Sequence, residues 1–106
     1  MVPAYNFADF TTPLPHPGEL LREDFLPAYR LTAGALAKAM GLKARTRIER
    51  IVREQQPITA STALRLAKVF GTSAQFWINL QTDHDLSKEA IAAREELSVI
   101  KPLAAA

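Results

Sequence analysis

Residues 32–52, TAGALAKAMGLKARTRIERIV, constrain this chain more than any other stretch. Ala33, Leu36, Ala37 and Met40 recur at helical spacing and stop at Gly41, the residue type best suited to the left-handed conformation that closes a helix. A second helix follows over about 44–54. At 100° per residue it gathers Ile48, Ile51 and Val52 in one arc. Thr46, Arg50 and Arg53 then project on the opposite side, with Glu49 beside them and Arg45 and Arg47 on the flanks. Two short helices joined at a glycine, the second apolar on one side and basic on the other, are the arrangement with which a helix-turn-helix enters the DNA major groove.

The overall charge would not suggest this by itself. Thirteen Lys and Arg oppose 11 Asp and Glu, for a net charge of +2. The distribution is more telling, because Lys43, Arg45, Arg47, Arg50 and Arg53 crowd together with only Glu49 among them. Acidic residues gather elsewhere, at Glu19, Glu23 and Asp24 and again at Asp83, Asp85, Glu89, Glu95 and Glu96. Side chains near the start of a recognition helix reach base edges, where Arg pairs with guanine and Glu accepts from cytosine. Arg45, Thr46, Glu49 and Arg50 are therefore the expected base contacts. Lys43, Arg47 and Arg53 are expected on phosphates, which set register and salt dependence. Thr32 adds an expected backbone contact from the start of the preceding helix.

The remainder reads as all-α, with five or six helices and no strand. Residues 1–15 carry Tyr5, Phe7 and Phe10 among prolines and show no period, which predicts an extended N-terminal arm. His16 caps a first helix in which Pro17 fits the opening position and Glu19 complements the positive end, and Pro27 is expected to end it. Thr32 caps the second helix, with Leu31 and Leu36 as a hydrophobic staple. Thr59 caps a fourth helix, carried by Ala63, Leu66, Ala67 and Phe70 and closed by Gly71. Thr72 with Gln75 predicts a capping box for a fifth, SAQFWINLQ. Leu86, Ala90, Ala93 and Leu97 then continue an apolar stripe to about Ile100. Domain organisation is thus the arm at 1–15 and one helical domain at 16–106.

Several function classes are disfavoured. There is no cysteine, hence no disulfide, thiolate metal site or cysteine nucleophile. His16 and His84 lie far apart in the sequence, the first read as a cap and the second as a surface residue, so neither a metal nor any other cofactor is expected. No catalytic constellation is legible, and the chain reads as a non-enzyme. Without a membrane-length apolar run or a secretory start, a cytoplasmic location is expected. The fifth helix is apolar on more than one side through Phe76, Trp77, Ile78 and Leu80, which predicts burial of its second face against another subunit in a homodimer.

HPGELLREDFL at 16–26, RTRIERIV at 45–52, ITASTALRLAKVFGTSAQFWINLQ at 58–81 and the ending VIKPLAA together resemble the HigA-type antitoxins of bacterial toxin–antitoxin systems. The resemblance runs from about His16 to the C-terminus. It implies a compact DNA-binding domain of the lambda-repressor type. It further implies a dimer that represses its own operon on double-stranded operator DNA and neutralises a RelE-like, mRNA-cleaving toxin of the HigB type. The family's DNA-reading helix falls on 44–54, so that Arg45, Thr46, Arg47 and Arg50 inherit its role. Ala33, Gly34 and Ala35 stand where relatives often carry polar or basic residues. Two other readings share the same residues: a stand-alone transcriptional regulator without a toxin, and a protein-interaction module on the same scaffold that no longer binds DNA.

Overall fold

A computed structural model describes residues 5–105, and among these there are helices, turns and extended connections but no strand. The first helix, α1, spans 17–29. His16 caps it, its Nδ1 accepting from the Gly18 N–H at 2.8 Å. Pro27 does not end it. The helix widens into a single π turn at Leu21–Phe25, with the Leu26 N–H reaching back to the Leu21 carbonyl, and resumes α-helical form over Leu26–Tyr29. In a regular helix the proline ring would collide with the carbonyl four residues earlier; the π turn directly upstream changes that spacing. Arg30, at φ 53°, closes the helix.

α2 (Ala33–Ala39) is capped by Thr32, whose Oγ1 accepts from the Ala35 N–H at 3.0 Å. Gly41 has the expected left-handed backbone, φ +74°. Helix α3 is shorter than the sequence suggests, Thr46–Val52, and Arg45 occupies its cap position without a side-chain cap bond. α4 (Ala60–Phe70) begins at Thr59 and stops at Gly71, φ +71°, as expected. α5 (Ala74–Ala92) is one continuous helix, followed by the short α6 (Arg94–Ser98). The residue that caps α5 is Ser73, whose Oγ accepts from Phe76 N–H at 3.0 Å. Thr72 instead accepts the Trp77 indole N–H at 2.8 Å, and Gln75 turns to Asn79, so the expected capping box does not form.

Leu21, Leu36, Ile48, Ile51, Leu66 and Trp77 are fully buried and come from five different helices. Trp77 is the hub. Phe25 of α1 and Phe70 of α4 stand 4.9 and 6.2 Å from it, ring centre to ring centre. The buried Gln81 accepts the Ile58 N–H at 2.8 Å and donates to Asp85, which satisfies a main-chain donor in the α3–α4 connection.

The N-terminal segment is more ordered than a frayed arm. A single 3₁₀ turn occupies Phe7–Asp9, and Tyr5, Phe7 and Phe10 form a tilted aromatic triad with centroids 5.6–5.8 Å apart. The chain then runs extended against the C-terminal half of the molecule. Ser87 Oγ accepts the Leu14 N–H at 2.8 Å, His84 Nδ1 bonds the Leu14 carbonyl at 2.7 Å, and the Arg94 guanidinium donates to the Phe10 carbonyl. Positions 1–4 of the expected arm, and Ala106, lie outside the described residues.

Candidate nucleic-acid interface

The exposed side of α3 follows from its buried side. Ile48 and Ile51 have no accessible surface, and this fixes the helix's rotation about its own axis. Thr46, Arg50 and Arg53, spaced by four and three residues, consequently share one solvent-facing stripe. Glu49 is half-buried beside it and pairs with Arg45 across 3.6 Å. The Arg45 side chain is 71% exposed. Its stem crosses the first turn of α2, where a Cβ on Gly34 would stand 3.6 Å from Arg45 Cδ. Lys43 is exposed in the turn, and the half-buried Arg47 lies on the flank toward Leu42. Thr32 is exposed, and its oxygen serves the cap as an acceptor, which leaves the hydroxyl hydrogen free to donate. The residues singled out from the sequence thus fall on one connected surface made by the start of α2, the turn and α3.

What the sequence does not reveal is how α3 is held. Before it, the Arg65 guanidinium of α4 donates to the Met40 carbonyl at 2.7 Å, locking the glycine turn. After it, the chain closes by a Schellman motif, with Glu54 N–H bonding the Ile51 carbonyl and Gln55 N–H the Arg50 carbonyl, both at 2.9 Å. The left-handed residue of that motif is Glu54, φ 60°, where glycine is usual. A residue with a Cβ costs roughly 1–2 kcal/mol in that conformation. Arg22 of α1 reaches this end, donating to the Val52 carbonyl and pairing with Glu54 at 3.3 Å. Both arginines act from elements outside the motif, and no local pattern marks them.

Other placements correct the sequence reading. Trp77 is core and offers nothing to a second subunit, while Ile78 and Leu80 are half-buried against the chain's own interior. Much of α5 is covered by α1, α4 and the N-terminal segment of the same molecule, which leaves Phe76 and Leu86 exposed on it. Phe76 alone of the four is exposed, at 37%. His84 is no isolated surface residue: its ring meets His16 edge-on with centroids 5.1 Å apart. Burial, and secondarily this neighbour, push His16 below the ordinary histidine value of 6.5. Among the described residues no group of three or more His, Asp or Glu side chains is placed to hold a metal ion. No helix there is long and apolar enough to cross a membrane.

The Helix-turn-helix family matches residues 21–77, more than half of the chain. Antitoxin HigA-1 of Vibrio cholerae is 35% identical over 86 residues, which cover 81% of this chain and 80% of that protein. This chain belongs to the HigA-type helix-turn-helix family. Virulence-associated protein I of Dichelobacter nodosus is more similar still, 50% identical over 91 residues covering 86% of this chain and 82% of the relative. The antitoxin HigA of Pseudomonas aeruginosa, solved with the higBA promoter, superposes with a TM-score of 0.80 at 40% identity and covers 86% of this chain and 99% of its own. The HigA-type resemblance read from HPGELLREDFL and TALRLAKVFGTS therefore holds across the helical domain, and the all-α architecture with it.

Proposed function

We propose that this chain is a HigA-type antitoxin. As a homodimer it reads operator DNA through α3 and represses its own operon, and it neutralises a RelE-like, mRNA-cleaving toxin of the HigB type. The observation that carries the DNA half is the solvent-facing stripe of Thr46, Arg50 and Arg53, with Arg45 beside it, on a helix whose rotation is fixed by Ile48 and Ile51. Likeness to a HigA solved with its promoter supports the same assignment. In this reading Arg45, Thr46, Glu49 and Arg50 face base edges, while Thr32, Lys43, Arg47 and Arg53 bind the sugar–phosphate backbone. Glu49 steers Arg45 in the free protein and yields it to DNA. The second subunit packs on exposed apolar side chains of the C-terminal half, among them Phe76, Leu86, Leu97, Val99 and Ile100.

The toxin half rests on family membership, and co-expression tests it. The small open reading frame adjoining this gene is expressed alone and then with this chain, following growth and co-purification. Growth arrest relieved by the chain, with both proteins recovered as one complex, is the expected result. A harmless neighbour that does not co-purify leaves a stand-alone regulator. For the DNA half, binding to the upstream region of the gene is titrated at several salt concentrations. Affinity should drop steeply between about 50 and 200 mM salt because phosphate contacts release counterions. A response flat in salt and indifferent to sequence would leave only a protein-interaction role.

A further inference from the structure

α3 is anchored at its far end by two exposed side chains, Arg22 of α1 and Glu54 just past its end. Arg22 and Glu54 are both well exposed, 39% and 40% at the side chain, and exposed ion pairs contribute little to folding. Glu54 also occupies a left-handed backbone position that glycine would fill with less strain. A carboxylate at a position where glycine fits better, beside an arginine that also grips the last turn of α3 through the Val52 carbonyl, points to a role other than holding the fold together.

We infer that Arg22 and Glu54 are positioning residues for DNA reading: they fix the tilt of α3 against α1 and so hold Arg45, Thr46 and Arg50 in register with base edges. This rests on the proposed reading of α3 as the DNA-reading helix and names residues that touch no DNA in that reading. The mechanism is geometric. Arg22 lies on the first helix and is joined to the C-terminal end of α3, while Gly18, one turn earlier, lets the same helix sit directly on the Ile51 carbonyl. At the opposite end Arg65 fixes the turn through Met40. With both ends held, α3 cannot rock. Releasing one end leaves its charges in place but lets their directions spread. Phosphate attraction tolerates such spread, whereas paired hydrogen bonds to a base edge do not.

The test compares operator DNA with a scrambled duplex of equal length, for the full chain and for Arg22→Ala and Glu54→Gly. The readout is the ratio of the two affinities, because a change of net charge moves both together. Both variants should lose about three- to tenfold in that ratio. Glu54→Gly should at the same time melt no lower than the parent, since glycine relieves the backbone, and a purely structural role would not combine those two results. An unchanged ratio in folded variants, with the parent still preferring its operator, overturns the positioning role alone. A parent chain with no preference for its operator overturns the DNA-reading assignment and the positioning role with it.

Discussion

Gly18 and the Ile51 carbonyl are in such close approach that a Cβ on Gly18 would fall 1.8 Å from the oxygen. The α1 backbone therefore rests directly on the end of α3, with no side chain between them. Gly18→Ala forces two helices apart against main chain rather than against a pliable side chain. Overpacking of this kind costs about 1–3 kcal/mol. Urea unfolding should show a loss at the upper end of that range, and an unchanged midpoint would mean that the contact between α1 and α3 can open to admit a methyl group.

Trp77 gives the second prediction. Trp77→Ala empties the centre of the aromatic cluster formed with Phe25 and Phe70, and large-to-small changes of this size cost about 3–5 kcal/mol. Trp77→Phe keeps the apolar ring and loses the bond to Thr72, so its cost should be clearly smaller. In both variants the loss should be independent of protein concentration, because the ring is buried within one chain. A loss that fades as concentration rises would place Trp77 at a subunit interface instead.

Arg50 tests the exposed stripe. Arg50→Ala should weaken operator binding by about 1–3 kcal/mol and relax base preference at one position, whereas a pure phosphate contact would weaken all duplexes alike. Anisotropy titrations against a set of single-base operator variants separate the two. Equal affinity and equal preference would remove Arg50 from the reading surface.

His16 makes stability depend on pH. In the folded chain its Nδ1 accepts the Gly18 N–H and carries no proton. Burial and His84 place its pKa below 6.5, so the unfolded chain takes up a proton more readily than the folded one. This contribution is complete above pH 6.5 and is lost as pH falls from there through the lower folded value. Asparagine also caps helices but does not titrate. The drop in urea midpoint between about pH 7.5 and about pH 5.5 should accordingly be smaller in His16→Asn than in the parent. An equal drop in both would assign the pH dependence to other groups.

What the sequence makes legible here is what neighbours within a few residues decide. Thr32, Gly41, Thr59 and Gly71 mark helix ends because each acts on its own turn of backbone, and all four do so in the structure. The spacing of Ile48 and Ile51 likewise gives the rotation of α3, and with it the stripe of Thr46, Arg50 and Arg53. The misreadings differ in how far along the chain their cause lies. Thr72 looks like a cap until Trp77 claims its hydroxyl. Pro27 looks like a stop until a π turn absorbs it. Trp77 looks like an interface residue because nothing in its own segment shows that Phe25, fifty-two positions earlier, will cover it. Arg22 and Arg65 escape notice for the same reason, since their partners are main-chain carbonyls on other elements. A carbonyl has no letter in a sequence.

The N-terminal segment carries this furthest. His84, Ser87 and Arg94 hold it by the main-chain atoms of Leu14 and Phe10, so its path is specified by residues seventy or more positions downstream. The two ends of the molecule are thereby fastened to each other. A cleavage that removes α6 would take Arg94 with it and release the segment around Phe10, so that damage to the last helix is felt first at the beginning of the chain.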